Sequence, residues 1–180
     1  GPWIKGNARF PDMKGLADYV HSLGLKIGLY SSPGPWTCGG CVGSYGFEKQ
    51  DAESYAKWGF DYLKYDWCSY GNVIDGLPDN DPMKVSSLSY NGGGELNTAM
   101  KPFKMMGDLL RKQNRDIVFS VCQYGMSDVW KWGDSVNGNC WRTTNDITDT
   151  WVSVKNIALD QDKSAPYAKP GNWNDPDMLV

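Results

Sequence analysis

The segment EKQDAESYAKWGFDYLKYD, residues 48–66, contains one complete repeating unit of the predicted fold. Residues 48–58 have helical character, Gly59 supplies a C-terminal stop, and residues 60–65 are extended and apolar. Helix, glycine, strand and loop in this order are typical of a parallel α/β sheet. The segment therefore predicts an α/β fold.

The same order of elements recurs on both sides of this unit. On the N-terminal side, apolar spacing predicts a helix over residues 12–23, ended by Gly24, and a strand over residues 25–30. On the C-terminal side the pattern predicts, in order, a helix over 95–112, strands over 116–122 and 140–143, a helix over 150–159 and a strand over 171–175. Residues 70–94, rich in Gly, Asn, Asp and Pro, predict a long loop of the kind that shapes a site.

Five such strands fit either an open doubly wound sheet or a (β/α)8 barrel. The doubly wound sheet should carry a glycine-rich phosphate loop, and neither G-x-G-x-x-G nor G-x-x-x-x-G-K-[ST] occurs in the sequence. The barrel is therefore the predicted fold class. Because a barrel of this type has eight strands, we interpret residues 1–180 as a fragment of a catalytic (β/α)8 TIM barrel that lacks the first two strands and the last, with any C-terminal β domain also absent.

Composition and charge narrow the classes of partner. The net charge of -3, from 18 basic and 21 acidic residues, is spread without runs, which disfavours nucleic acid because such binding needs clustered Lys and Arg. No apolar stretch approaches the roughly 20 residues that cross a bilayer, and residues 1–10 do not resemble a signal peptide. We expect a soluble chain without a membrane partner, with any export signal outside the segment.

The 9 Trp and 10 Tyr either stack on sugar rings or fill the core.

Polar and aromatic side chains follow the predicted strands, and parallel strands bring their C-terminal ends to one rim of a barrel. The residues placed there are Tyr30, Lys64, Asp66, Cys122, Gln123, Arg142, Asp146, Trp173 and Asp175. Glycoside hydrolysis needs two carboxyl groups, and Asp66 and Asp146 are candidates from different strands. Either could instead cap a helix or a turn, and Asp175 and Asp177 could be turn formers around Pro176.

Two further residue types bear on the chemistry. Lys64 lies two residues before Asp66, so both side chains point to one face and the cation would keep the carboxylate ionised. The only histidine, His21, lies on the first helix, where a surface or packing role is expected, so the strand ends offer no Ser-His-Asp triad and no H-E-x-x-H zinc site. Cys38 and Cys41 form a single C-x-x-C pair, which is not a zinc ribbon.

Three motifs carry a family resemblance: LKYDWC at residues 63–68, CWRTTNDI at 140–147 and GNWNDPDML at 171–179. Together they resemble the family 27 glycoside hydrolases, the α-galactosidase or melibiase group, in the right order and over nearly the whole chain. The resemblance implies a retaining hydrolase that cleaves terminal α-D-galactosyl residues from oligosaccharides or glycoconjugates by double displacement, without a metal or an organic cofactor.

The resemblance also implies residue roles. The Asp of the Lys-x-Asp-x-Cys motif is the nucleophile of that family, and the Asp four residues after the Trp-Arg pair is its acid/base, which implies Asp66 and Asp146. It further implies that Lys64 and Arg142 hold sugar hydroxyls. With these two, the predicted substrate-binding set is completed by Gln123, Tyr30, Trp173 and Asp175.

A disulfide is implied by the same resemblance, between Cys38 and Cys68, which leaves Cys41 as the spare thiol. Such a bridge fits an oxidising environment, whether secreted, periplasmic or lysosome-like.

Several alternatives stay open at this point. Many members carry Cys-Glu-Trp where this chain has Cys122-Gln123-Tyr124. A neutral amide near the sugar 2-position favours galactose over N-acetylgalactosamine. The family's paired acidic residues for the 4- and 6-hydroxyls lie before residue 1, so an α-galactoside and a β-L-arabinopyranoside both remain possible substrates. A non-catalytic carbohydrate-binding barrel is the alternative from another class, and no oligomeric state is predicted.

Overall fold

A computed structural model describes residues 4–74 and 96–177. Its centre is one parallel sheet of five strands in the order β1-β2-β3-β4-β5. The strands are β1 Gly28–Ser31, β2 Tyr62–Asp66, β3 Val118–Cys122, β4 Cys140–Arg142 and β5 Trp173–Asp175. The α-helices are α1 Met13–Ser22, α2 Glu48–Trp58, α3 Tyr70–Ile74, α4 Leu96–Arg111 and α5 Trp151–Leu159. Short 3-10 helices span Met126–Lys131, Gly133–Val136 and Ala165–Tyr167.

The five predicted strands are all present, and each pairs in parallel with the next one along the chain, as the repeating unit requires. Most strand boundaries differ from the prediction by one or two residues, and two differences are larger. The first strand begins at Gly28 instead of residue 25, and the long loop predicted over residues 70–94 opens with helix α3. The remainder of that loop, residues 75–94, lies outside the described residues.

Local sequence signals set the helix ends. The Asp12 carboxylate accepts a hydrogen bond from the Gly15 N–H at 2.8 Å and so caps α1. Thr150 caps α5 in the same way, because its hydroxyl accepts from the Ser153 N–H. Gly59 ends α2 with a left-handed φ of 86°, a conformation that glycine adopts without a steric penalty.

The two faces of the sheet have different environments. Residues on the outer face pack against α4 in the hydrophobic core, where the Tyr65 ring lies edge-on to Phe103 with 6.1 Å between centroids. Leu63, Phe119 and Trp141 belong to the same core. Alternation along the strands then directs the intervening residues to the inner face, and these are Tyr30, Tyr62, Lys64, Asp66, Ser120, Cys122, Cys140, Arg142, Trp173 and Asp175. The inner face is therefore polar.

An ion cluster ties the opposite end of the sheet together. Asp61, just before β2, is buried, and its carboxylate lies 2.7 Å from both His21 Nε2 and Arg115 Nη2. It also accepts from the Ile27 N–H at 3.1 Å, and Lys26 lies at 3.4 Å. This arrangement confirms a packing role for His21.

Burial alone would raise the pKa of the Asp61 carboxyl. Hydrogen bonds from His21, the Ile27 backbone and Arg115 outweigh burial and hold that pKa well below its usual range. The charged form of Asp61 therefore stabilises the folded chain.

None of the helices in the described ranges combines the length and the apolar character that crossing a bilayer requires.

We predict that Asp61→Asn destabilises the full-length protein by about 2 kcal/mol, because it removes the negative charge of a buried side chain that accepts hydrogen bonds from His21, the Ile27 N–H and Arg115. Because the folded-state pKa lies below the usual value for an aspartate, this stabilisation is present above about pH 4 and is lost as the pH falls further. Urea unfolding at pH 7 and at lower pH measures both effects.

The matched control is Asp18→Asn, which makes the same change in the exposed Lys14–Asp18 pair. We expect it to cost less than about 1 kcal/mol. Equal losses for the two variants would contradict the role given to Asp61.

Candidate active site

The register of the strands brings their C-terminal ends to one rim. Asp66 at the end of β2 pairs with Cys122 at the end of β3, and Arg142 at the end of β4 pairs with Asp175 at the end of β5. The rim of a barrel where parallel strands end is where active sites form.

Asp66 is a buried carboxylate held by two phenols. Only 6% of the residue is exposed. The hydroxyl of Tyr30 donates to Asp66 Oδ2 and the hydroxyl of Tyr124 donates to Asp66 Oδ1, each at 2.7 Å. Among the described residues no ion pair joins Asp66 to Lys64, so the predicted neighbouring cation is replaced by two neutral donors.

Both phenols keep their protons. Burial, and after it the charge of Asp66, raises the pKa of Tyr30 far above its usual range. The same two causes, in the same order, raise the pKa of Tyr124. The carboxylate therefore retains two O–H donors across the pH range in which proteins work.

A disulfide joins Cys38 to Cys68, as the resemblance implied, with 5.1 Å between the Cα atoms. It lies directly behind the phenols, because the Tyr30 hydroxyl is 3.2 Å from Cys68 Sγ and the Tyr124 hydroxyl is 3.7 Å from Cys38 Sγ. The bridge fixes the loop after β1 against the rim. Cys41 is free and exposed, as predicted.

Arg142 holds two other carboxylates at the same rim. The residue is only 1% exposed, and its Nη2 donates to Asp146 Oδ1 at 3.0 Å while Nη1 lies 2.9 Å from Asp177 Oδ1. Nη2 also donates to the Thr144 carbonyl at 3.1 Å. These contacts indicate that Arg142 orients carboxylates, and its contact with sugar hydroxyls stays a prediction.

Asp146 has the opposite environment to Asp66. Its side chain is 73% exposed, and its second oxygen, Oδ2, has no partner in the part of the chain that the structure describes. Two side chains, Arg142 and Tyr124, connect the two carboxylates. Arg142 binds Asp146, its guanidinium lies 5.9 Å from the centroid of the Tyr124 ring, and the Tyr124 hydroxyl donates to Asp66. Asp66 and Asp146 therefore belong to one cluster.

Two residues of the predicted set point to the inner face without touching this cluster. The Lys64 side chain makes no hydrogen bond or ion pair with any residue in the described ranges, so its ammonium is available to a ligand. Trp173 is exposed and occupies the first position of β5, in register with Cys140, two residues before Asp175. It therefore lies further from the strand ends than the prediction supposed.

Asp175 and Gln123 each make a hydrogen bond within the chain. Asp175 Oδ1 accepts the Asp177 N–H at 2.9 Å, which is the turn-forming role left open above. Gln123 is 1% exposed and its amide donates to the Met126 carbonyl at 2.5 Å, and its contact with the sugar 2-position stays a prediction.

Sequence reasoning missed Tyr124 and Asp177 as members of the cluster. Asp177 was considered only as a turn former, although its Oδ2 also accepts the Ile147 N–H at 2.8 Å and so holds the loop that carries Asp146. Tyr124 follows β3 and reaches Asp66 through a backbone with φ 63°, which no strand alternation predicts.

The thiols near Asp66 offer neither a second nucleophile nor a metal site. Burial and then the charge of Asp66 raise the pKa of the Cys122 thiol well above its usual range, so the reactive thiolate does not form. Among the described residues, Cys38, Asp66 and Cys68 bring three potential metal-ligand atoms together, but the two sulfurs are bonded to each other.

Comparison with known proteins agrees with this arrangement. The family model described as Alpha galactosidase A, of the melibiase group, matches residues 4–180. "Alpha-galactosidase 2" of Arabidopsis thaliana is 41% identical over 184 residues, covering 99% of this chain and 39% of that protein. The alpha-galactosidase of Cyamopsis tetragonoloba is 44% identical over 181 residues, covering 99% of this chain and 38% of that protein.

Solved structures give the same result. Alpha-galactosidase I of Mortierella vinacea aligns with a TM-score of 0.74 and 32% identity, over 93% of this chain and 42% of that chain. The α-galactosidase of Saccharomyces cerevisiae, solved with raffinose, aligns with a TM-score of 0.75 and 27% identity, over 92% of this chain and 37% of that chain. The predicted fold class, a (β/α)8 barrel, is confirmed.

The chain spans about two fifths of the length of the curated relatives it matches. Over that span it carries the three motifs, the Cys38–Cys68 bridge and the carboxylate cluster at the strand ends. The chain belongs to the Alpha galactosidase A family of the melibiase group.

Proposed function

We propose that the full-length protein is a retaining glycoside hydrolase that removes terminal α-D-galactosyl residues from oligosaccharides or glycoconjugates, with Asp66 as nucleophile and Asp146 as acid/base. The observation that carries the proposal is the pair of carboxylates in one cluster, one buried between phenols and one exposed. The two curated relatives described above are named α-galactosidases, which supports the choice of sugar.

In the first step, an Asp66 oxygen attacks the anomeric carbon while Asp146 donates a proton to the glycosidic oxygen. The bond between the carbon and that oxygen breaks, the aglycone leaves as an alcohol, and a galactosyl ester of Asp66 forms. In the second step Asp146 takes a proton from water, which attacks the same carbon and releases Asp66. Two inversions leave the anomeric configuration unchanged, and both steps use only side chains of this chain and water.

The environments of the two carboxylates suit these roles. A nucleophile has to present one oxygen to a fixed point, and Asp66 is held by a donor at each oxygen. An acid/base has to reach both the leaving group and water, and Asp146 is exposed, with Arg142 bound to one oxygen only. Divergent environments for two carboxyl groups are the usual basis for two different roles.

Substrate contacts follow from the groups that remain available on the inner face. The Lys64 ammonium has no described partner and can donate to sugar hydroxyls, and the exposed rings of Tyr30 and Trp173 can pack against the sugar or its aglycone. Asp175 and Arg142 support the site by shaping the turn and by orienting the carboxylates. The disulfide supports an oxidising compartment.

Asp66→Ala in the full-length protein is expected to lower turnover of an aryl α-galactoside by about 10⁴-fold or more, because the covalent intermediate can no longer form. Azide should restore product as the β-galactosyl azide, since a small anion can enter the space that the carboxylate left. Asp18→Ala, on the far helix α1, serves as the control with unchanged turnover. Full activity of Asp66→Ala would remove the nucleophile assignment.

Asp146→Ala is expected to discriminate between leaving groups. Loss of the general acid should slow cleavage of an unactivated galactoside by about 10²–10⁴-fold. Cleavage of a dinitrophenyl galactoside, whose leaving group needs no proton, should be slowed much less in its first step. Equal losses on both substrates, measured as kcat/KM, would argue against the acid role.

Substrate class and stereochemistry can be tested in one experiment on the wild-type protein. We expect hydrolysis of the α-galactoside to exceed that of the α-N-acetylgalactosaminide and the β-L-arabinopyranoside, and NMR should detect α-galactose as the first product. Initial release of β-galactose would indicate inversion, and absence of turnover on all three would favour a non-catalytic sugar-binding barrel.

A further inference from the structure

Tyr124 lies between the two proposed catalytic carboxylates and contacts the surroundings of both. We propose that Tyr124 is a positioning residue: its hydroxyl fixes the Asp66 carboxylate for attack, and its ring sets the place of the Arg142 guanidinium that holds Asp146. This inference rests on the proposed function and adds a residue to which the sequence motifs assign no role.

The backbone places Tyr124 where an extended strand could not. After Cys122 ends β3, Tyr124 has φ 63° and Gly125 has φ 79°, so two consecutive residues are left-handed. A Cβ at position 125 would overlap the Thr143 carbonyl. Because glycine has no Cβ, the chain can turn close to the segment after β4. A tyrosine in the left-handed region is unfavourable, and such conformations persist where the surroundings enforce them, often at functional sites.

The phenol hydroxyl determines the orientation of Asp66. It donates to Oδ1 at 2.7 Å, while Tyr30 occupies Oδ2. With a single donor the carboxylate plane could rotate about its last torsion, which is broad for aspartate. With a donor at each oxygen the plane is fixed. The raised pKa of Tyr124 keeps its proton on the hydroxyl and the bond directed toward the carboxylate.

The ring connects this carboxylate to the other half of the site. The Arg142 guanidinium lies 5.9 Å from the ring centroid and donates to Asp146 at 3.0 Å. The Tyr124 hydroxyl also lies 3.7 Å from Cys38 Sγ, so the disulfide limits its movement from behind. The separation of the two carboxyl groups decides between retention and inversion. Because Tyr124 contacts Asp66 directly and Asp146 through Arg142, its position influences that separation.

The first test is Tyr124→Phe in the full-length protein, which removes the hydroxyl and keeps the ring. We expect kcat per active site to fall about 10- to 100-fold, the loss of one hydrogen bond to a charged group, with KM within about twofold. Active sites are counted by stoichiometric trapping with a 2-fluoro galactoside, so misfolded protein does not lower kcat. An unchanged kcat would overturn the proposal, and so would a rise in KM alone, since that would place Tyr124 on the sugar.

The matched control is Tyr62→Phe. Tyr62 is another partly buried tyrosine of the inner face, and its hydroxyl lies near Cys140 Sγ at 3.8 Å without contacting Asp66. It should retain the kcat and KM of the wild type. If Tyr62→Phe loses as much as Tyr124→Phe, the effect belongs to any buried hydroxyl and the positioning role is wrong.

A second measurement does not depend on turnover. Melting temperatures are compared for Asp66→Ala, Tyr124→Phe and the double variant, and for the same cycle with Tyr62→Phe. We expect the changes in melting temperature to be coupled for Asp66→Ala with Tyr124→Phe and additive for Asp66→Ala with Tyr62→Phe. If the wild type cleaves no glycoside, the proposed function fails, and the melting temperatures alone test the positioning role of Tyr124. Coupling between positions 66 and 124 would then support the contact between Tyr124 and Asp66, and additivity in both cycles would overturn the role.

Discussion

The arrangement of the rim depends on satisfying one buried negative charge. A carboxylate removed from water is costly unless its oxygens are hydrogen-bonded. Asp66 meets this requirement with two phenol hydroxyls, one from the strand before it and one from the turn after the strand that follows. Those phenols in turn lie against the Cys38–Cys68 bridge. Contacts with the Asp66 carboxylate and with this bridge therefore hold together the loop after β1, the end of β2 and the turn after β3.

A second buried charge organises the other half of the rim. The Arg142 guanidinium is enclosed and pairs with Asp177, which is also buried, and with Asp146, which is exposed. One cation therefore serves two carboxylates in different environments. The buried partner neutralises the charge of Arg142 and ties β5 to the loop after β4, while the exposed partner keeps an oxygen accessible to ligands and water. The stability of this half and the accessibility of its acid group thus come from the same side chain.

How far the sequence predicts the molecule can be judged from particular residues. Helix α2 and its glycine stop are predicted correctly because periodicity and a left-handed terminus are local properties. The start of β1 is not, because Leu25 is apolar yet exposed and only pairing with β2 selects Gly28. Asp66, Asp146 and Tyr30 are placed at the rim by strand ends and motifs, whereas Tyr124, the second hydrogen-bond partner of Asp66, is not. Tyr124 reaches it through a left-handed turn, and Gln123, adjacent in sequence, is directed into the protein interior by the same turn. Contacts across such a turn depend on tertiary structure and leave no period in the sequence.

Strand β2 and the residue before it allow two buried carboxylates to be compared within six residues. Hydrogen bonds from His21, the Ile27 N–H, Arg115 and Lys26 outweigh the burial of Asp61, lower its pKa and make it a structural anchor. Asp66 instead receives neutral hydroxyls, which orient a carboxylate without compensating its charge. A nucleophile has to direct its negative charge toward an electron-poor anomeric carbon, and an ion pair would have to be weakened during attack. Positioning by phenols avoids this cost. The carboxylate before β2 therefore contributes to stability, the carboxylate at its C-terminal end is placed for chemistry, and the two differ in the donors that surround them.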